Sequence, residues 1–420
     1  MPQWYLLASA LVIVGVVSLG STFVLLNSFL PLLSANHPDV RHQEQQQDAS
    51  STQLKLSVQI SSKGVGLGYA AAVCVQIFSI LLLVLLGKAS IGSDSTRMRC
   101  VLFIVGVFWA ALTIPGALWL RDRPGPPLKP NSMQASRLPT ALKYMVFAWT
   151  SVWKTVKTAA RLRQTGIFLC AWFLLSDSIA TVSGIAILFA RTELHMGTIA
   201  IALLSITATA SGIAGAFAWP LISKRYGFQT KSAIIACVLL MEIIPFYGLL
   251  GFLPFVQSWG VGGLQQAWEI YPLGFVHGFV MGGLSSYCRA FYGEIIPPGS
   301  EAAFYALYAI TDKGSSAVGP AIVGAIVDSV GTIRPAFGFL AVLIALPVPL
   351  LYLVDVQKGR ADAVAWSEKS GGSSYAYQDV ALDDYEGGGG DGEHAPNQGL
   401  MRGWEDEELD DDDDDDRRRR

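Results

Sequence analysis

Nine long stretches of the chain are apolar and almost free of charged residues. A helix needs about 20 apolar residues to cross the roughly 30 Å hydrocarbon core of a bilayer, because each residue advances it by about 1.5 Å. Every stretch reaches or approaches that length. They predict an all-α, polytopic membrane protein with about nine transmembrane helices, over residues 1–38, 64–87, 100–120, 164–190, 194–223, 232–268, 270–288, 302–327 and 335–354.

The charged residues are few and unevenly placed. They make up 15% of the sequence, whereas a soluble domain averages about 25%. Residues 1–358 hold 23 basic and 14 acidic residues, and residues 359–420 hold 7 and 19. The basic residues lie in the loops between apolar stretches rather than on one face, so nucleic-acid binding is not expected. The dense charge and low apolar content of residues 359–420 predict a disordered acidic tail.

Motifs for chemistry or metal binding are missing from the sequence. The five cysteines are scattered singly, without the CxxC or Cys/His spacing of a metal site. HExxH, GxSxG and P-loop motifs do not occur. We therefore expect no catalytic residue, no metal and no cofactor, and the chain is not expected to be an enzyme.

The loops between the stretches fall into two alternating sets of unequal charge. One set carries sixteen Lys and Arg residues and the other carries five. Because positively charged loops stay on the cytosolic side, we expect the middle loop (residues 121–163) and the acidic tail in the cytosol. The N-terminus is then expected on the opposite side.

The middle loop contains a predicted amphipathic helix over residues 141–163. Its apolar face comprises Leu142, Met145, Val146, Trp149, Trp153 and Val156, and Lys143, Lys154, Lys157 and Arg161 group away from that face. A basic helix with aromatic residues suits a membrane surface. The alternative is a helix packed on the cytosolic ends of the spans.

Several polar residues fall near the middle of their stretches. A charge at the centre of a transmembrane helix costs about 2.5–3.5 kcal/mol, so it normally faces a cavity or a partner. The polar residues within the stretches predict a transport path that includes a proton-carrying carboxylate. The candidates are Asn27, Asp177, His277, Asp312 and Lys313. Internal ion pairs, such as Asp177 with Lys313, are the alternative. Glu242 lies in the most uniformly apolar stretch and is interpreted as structural.

Small residues mark predicted sites of helix packing. Gly274, Gly278 and Gly282 recur at four-residue spacing, which places them on one helix face and allows a second helix to approach closely. Gly319 and Pro320, with Gly324, interrupt another stretch and predict a bend. Plain packing without a moving part is the alternative for each glycine.

Three segments resemble the fungal autophagy-related protein 22 family of the major facilitator superfamily. They are FVLLNSFLPLL at residues 23–33, LLSDSIATVSG at 174–184, and GGLSSYCRAFYGEIIPPGSEAAFYALYAITDKGSS at 282–316. The resemblance covers about residues 4–358. It implies two six-helix halves around a central cavity. Against that pattern we expect the chain to lack the first three transmembrane helices, with a partial N-terminal half (1–120), the middle loop and a C-terminal six-helix half (164–358).

The same resemblance implies a function. It suggests a multi-pass transporter of the vacuole membrane that releases amino acids from autophagic degradation by alternating access. The carboxylates within the apolar stretches add proton coupling to this expectation. Its partners would be amino acids and the lipid bilayer. A non-transporting membrane scaffold or sensor with a truncated transporter fold is the alternative from another class.

Overall fold

The computed structural model describes residues 5–41, 49–89, 93–119 and 140–369, and these residues form helices without any strand. The predicted class, an all-α polytopic membrane protein, is confirmed. Residues 121–139 of the middle loop and residues 370–420 of the acidic tail lie outside the described part. The helices are α1 (Tyr5–Ala35), α2 (Pro38–Arg41), α3 (Ala49–Lys88), α4 (Asp94–Trp119), α5 (Thr140–Arg161), α6 (Arg163–Thr192), α7 (Thr198–Tyr226), α8 (Thr230–Met241), α9 (Ile243–Leu250), α10 (Pro254–Trp259), α11 (Ile270–Glu294), α12 (Glu301–Ser315), α13 (Val318–Val330), α14 (Ala336–Ala345), α15 (Pro347–Leu353) and α16 (Val356–Lys369).

Seven segments of the described chain are long and apolar enough to cross a membrane. Five are α1, α3, α4, α6 and α7, and the other two are the consecutive pairs α8–α9 and α14–α15. The two remaining predicted stretches are also helical but differ in character. Helix α11 has 25 residues, but glycines, serines and a histidine lower its apolar content. The stretch after it is broken between α12 and α13, so neither piece is long enough alone.

The outer helices expose apolar side chains over most of their length. Leu11 on α1 and Phe103 on α4 are examples, with Phe103 72% exposed. Such a surface is unfavourable in water but is matched by lipid chains, as expected of helices at the edge of a membrane bundle.

Helix α3, from the first 120 residues, contacts helices that follow residue 163. It packs along α7 and α11, where the ring of Tyr69 lies 3.3 Å from the position that a Cβ on Gly212 would take. Its Gln76 Nε2 donates hydrogen bonds to Ser205 Oγ at 3.3 Å and to Thr209 Oγ1 at 3.2 Å. Polar contacts of this kind fix the register of two helices inside a bilayer.

Helices α7 and α11 approach each other at glycines. A Cβ on Gly278 would overlap the carbonyl oxygen of Ala208, and one on Gly282 would overlap that of Gly212. A Cβ on Gly274 would lie 2.6 Å from Leu204 Cδ1. The four-residue glycine spacing thus marks the line along which the two backbones touch.

Order continues past the predicted start of the tail at residue 359. Helix α16 runs to Lys369 and packs against α6 and α11. Its Arg360 Nη1 contacts Glu294 Oε1 at 2.9 Å, and its Nη2 donates to Gln53 Oε1 at 3.4 Å. The prediction of disorder from Gly359 therefore does not hold for residues 359–369, because this helix gains contacts with the bundle that composition alone does not reveal.

Candidate functional site

A cavity of about 300 Å³ lies among the helices of the second part of the chain. Helices α6, α7, α11 and α14 form its walls, α3 contributes Tyr69, and most lining side chains are aliphatic or aromatic. None of the described residues that line it is Asp, Glu, Lys or Arg. Ligand cavities span roughly 300–1,000 Å³, so this one suits a single small solute without net charge.

The polar groups of the cavity come from facing helices. His277 Nε2 on α11 shares a hydrogen bond of 3.2 Å with Ser183 Oγ on α6, and Ser205 and Thr209 of α7 also line the space. His277 Nδ1 is buried and has no hydrogen-bond partner among the described residues. A buried polar atom of this kind favours a ligand that can pair with it.

A loop over residues 260–266, the cap loop, closes one end of the cavity. Its Leu264 lines the cavity and is buried, although its backbone has a φ of 61°. Non-glycine residues rarely adopt that region, and doing so costs about 1–3 kcal/mol. The surrounding contacts must therefore hold Leu264 in place.

Glu269 provides those contacts. Its carboxylate is 1% exposed and accepts hydrogen bonds from the backbone N–H groups of Gly262 (3.1 Å), Leu264 (2.9 Å) and Gln266 (3.0 Å). Tyr247 Oη donates a fourth at 3.0 Å. Four donors compensate the burial of this carboxylate, so it acts as the organising centre of the cap loop.

Arg334 also contacts the cap loop. Its Nη1 donates to the carbonyl of Gly263 at 3.1 Å, and its guanidinium lies 5.8 Å from the ring centroid of Phe189. Phe189 and Phe337 line the cavity and contact each other edge to face, with centroids 5.6 Å apart. The loop, the arginine and the two rings thus form one end wall.

Asp177 has a backbone partner. It is 2% exposed, and its Oδ1 accepts a hydrogen bond of 2.9 Å from the N–H of Gly319 at the start of α13. A carboxylate at a helix N-terminus accepts a hydrogen bond from an otherwise unpaired N–H, and its negative charge is stabilised by the positive end of the helix dipole. A Cβ on Gly319 would overlap Thr181 Oγ1, which explains the glycine. Pro320 follows within the first turn of α13, where its missing N–H costs nothing.

The suggested Asp177–Lys313 pair is not formed. Lys313 Nζ instead contacts Asp312 Oδ2 at 2.9 Å, and the Lys313 side chain is 84% exposed. Ser176 Oγ donates to Asp312 Oδ1 at 2.6 Å. Asp312 and Lys313, two of the predicted charges, therefore pair with each other on α12, beside α6.

The remaining predicted residues are dispersed. His277, Gly274 and Gly278 line the cavity, whereas Asn27 is buried in α1. Glu242 joins α8 to α9 along the chain. Its carboxylate is buried, and neither of its oxygens has a hydrogen-bond partner among the described residues. Around Gly324 a Cβ would meet no atom within 4 Å, so this glycine takes no part in close packing.

The sequence motifs did not indicate the end wall or two further polar groups of the cavity. Glu269 and Arg334 of the end wall were not predicted as site residues, and neither were Ser183 and Tyr69. The glycines before Glu269 offered one signal, since Gly260, Gly262 and Gly263 have positive φ values and such a run predicts a tight loop.

Comparisons with known proteins agree with this architecture. A family model described as "Vacuole effluxer Atg22 like" matches residues 1–364. Autophagy-related protein 22-1 of Sclerotinia sclerotiorum is 54% identical, over 96% of this chain and 72% of the relative. Autophagy-related protein 22-1 of Phaeosphaeria nodorum is 55% identical over 90% and 71%, and autophagy-related protein 22-2 of Emericella nidulans 50% identical over 87% and 70%.

The family model extends over all the helices that surround the cavity, and the identities exceed what a shared fold alone requires. The resemblance predicted from the three sequence segments is confirmed. The chain is a member of the Atg22-like family of vacuole effluxers.

Proposed function

We propose that the protein moves amino acids with uncharged side chains from the vacuole lumen to the cytosol. The observation that carries this proposal is the cavity: it is small, mostly apolar, free of charged lining residues and supplied with His277. Family membership supports a vacuolar transporter role. A zwitterion with a neutral side chain adds no net charge to such a site, whereas an ionic side chain would leave a charge uncompensated.

Alternating access is part of the proposal. Helices α1, α3 and α4 would belong to one half of the transporter, and α6–α15 to the other, with α3 at their contact. The cap loop lies near the start of α11, and the contacts of Arg360 with Glu294 and Gln53 lie near its far end. We propose that the cap loop faces the lumen and α16 the cytosol, since the basic loops favour that orientation.

Efflux from vesicles tests the proposal. The full chain in vesicles loaded with leucine, lysine or glutamate is expected to release leucine at least roughly tenfold faster, since an uncompensated charge costs about 2.5–3.5 kcal/mol. Protein-free vesicles provide the background. If all three amino acids leave at the rate seen in protein-free vesicles, transport is rejected and a non-transporting scaffold is favoured.

We also propose that a proton is carried by Asp312 during transport. Its side chain is 24% exposed and is held by Ser176 and Lys313, whereas Asp177 is 2% exposed and accepts a hydrogen bond from the start of α13. Asp312→Asn keeps the hydrogen bond from Ser176 but cannot release a proton. Its efflux is expected to become independent of an imposed pH gradient. An unchanged pH response would exclude Asp312 as the proton carrier.

A further inference from the structure

Among its described side chains, helix α5 buries residues on one face against the bundle. It packs on α6 and α12, with Thr155 and Ala159 buried and Leu162 buried directly after the helix. These residues follow one another at three- and four-residue spacing, so they occupy a single side. Most of the other described side chains of α5 are exposed.

A second face of α5 is apolar and exposed. Met145, Trp149 and Trp153 lie on it at four-residue spacing, and the two indoles are 71% and 61% exposed. At 100° per residue this stripe stands roughly a quarter-turn or more from the packed side. Two large aromatic rings held in water are unfavourable, and tryptophan prefers the interface between lipid and water.

The third face is basic and borders the aromatic one. Lys154, Lys157 and Arg161 lie there and are exposed. Lys157 Nζ sits 5.8 Å from the ring centroid of Trp153, so the cation and the ring present one composite surface. Cations next to indoles match the phosphates and the upper acyl chains of a lipid leaflet.

The position of α5 along the chain fixes its distance from the membrane. It ends at Arg161, and the transmembrane helix α6 begins at Arg163. A single residue, Leu162, separates the two, and it is not helical, with a φ of −83° and a ψ of 89°. The chain turns there, so α5 leaves the end of α6 at the membrane boundary.

We propose that α5 lies in the headgroup region of the cytosolic leaflet and binds anionic phospholipids there. The aromatic face enters the lipid, the basic face contacts the phosphates, and the packed face ties the helix to α6 and α12. Juxtamembrane basic residues attract anionic lipids by about 1 kcal/mol each, which corresponds to roughly fivefold in binding. A soluble protein partner is the competing occupant of the same surface.

Photo-crosslinking in vesicles tests whether lipid occupies this surface. The full chain is reconstituted in phosphatidylcholine with a minor share of phosphatidylserine, and p-benzoylphenylalanine replaces Trp149. The same probe at Phe103, which is 72% exposed on α4, is the positive control, and at the exposed Glu368 on α16 it is the negative control. Mass spectrometry identifies the lipids attached after irradiation.

We expect position 149 to form lipid adducts with a yield close to that of position 103, and with phosphatidylserine enriched over its share in the bilayer. Lys154→Gln with Lys157→Gln should reduce this enrichment by up to roughly fivefold for each lysine, while Lys224→Gln, an exposed lysine on α7, should leave it unchanged. Lipid adducts at 103 but none at 149 would overturn the proposal. Enrichment that survives the double substitution would overturn the role of the basic face.

Discussion

Glu269→Ala is expected to lower the free energy of unfolding by about 2–4 kcal/mol. The substitution leaves the N–H groups of Gly262, Leu264 and Gln266 without their acceptor, and a buried unpaired donor costs about 1–3 kcal/mol. Only the Leu264 bond is fully buried, so the other two donors regain part of their loss from water. The measurement is the unfolding midpoint of the purified protein in detergent.

Two variants serve as controls for Glu269→Ala. Glu269→Gln retains one side-chain oxygen as an acceptor and should lose less stability than the alanine variant. Glu193→Ala removes an exposed carboxylate at the end of α6 and should leave the midpoint unchanged. If the alanine variant melts like the wild type, Glu269 does not organise the cap loop.

Gly278→Ala is expected to destabilise the bundle by about 1–3 kcal/mol, the usual cost of overpacking. The added methyl group would overlap the backbone oxygen of Ala208 and the hydroxyl of Ser211. A backbone oxygen cannot rotate away as a side chain can, so α7 and α11 must separate. Abundance in the membrane and the unfolding midpoint should both fall.

Gly324→Ala is the matched substitution for this test. It also lies inside a helix, α13, but its Cβ would meet no atom within 4 Å. Alanine favours helix over glycine by about 1 kcal/mol, so stability should be unchanged or slightly higher. Equal losses in the two variants would show that the Gly278 contact does not limit how closely the helices pack.

The fold class followed from the sequence because it depends on local properties. Length and apolarity determine whether a segment can cross a bilayer, and four-residue glycine spacing determines which face can be approached closely. The break between α12 and α13 was indicated by Gly319 and Pro320. The hydrogen bond between Asp177 and Gly319 was not indicated, because the two residues lie 142 positions apart and only tertiary packing brings them together.

The candidate site was harder to predict for the same reason. Charged residues within apolar stretches indicated Asp177 and Asp312, but none of the described residues that line the cavity is Asp, Glu, Lys or Arg. Its polar groups include the hydrogen-bonded pair of His277 and Ser183. Glu269 and Arg334 lie at the ends of apolar stretches, where charges are ordinary and attract no notice. Their role appears only when the cap loop folds around the carboxylate.

We propose that the transported amino acid binds in the cavity, and filling the cavity tests this directly. Ala186 lines the cavity, whereas Leu188, two residues further along α6, is exposed on the outside. Leucine efflux from vesicles is measured for Ala186→Phe and Leu188→Phe at equal protein amounts and comparable unfolding midpoints. We expect Ala186→Phe to abolish efflux and Leu188→Phe to transport like the wild type. Undiminished efflux by Ala186→Phe would contradict binding in the cavity and place the substrate elsewhere.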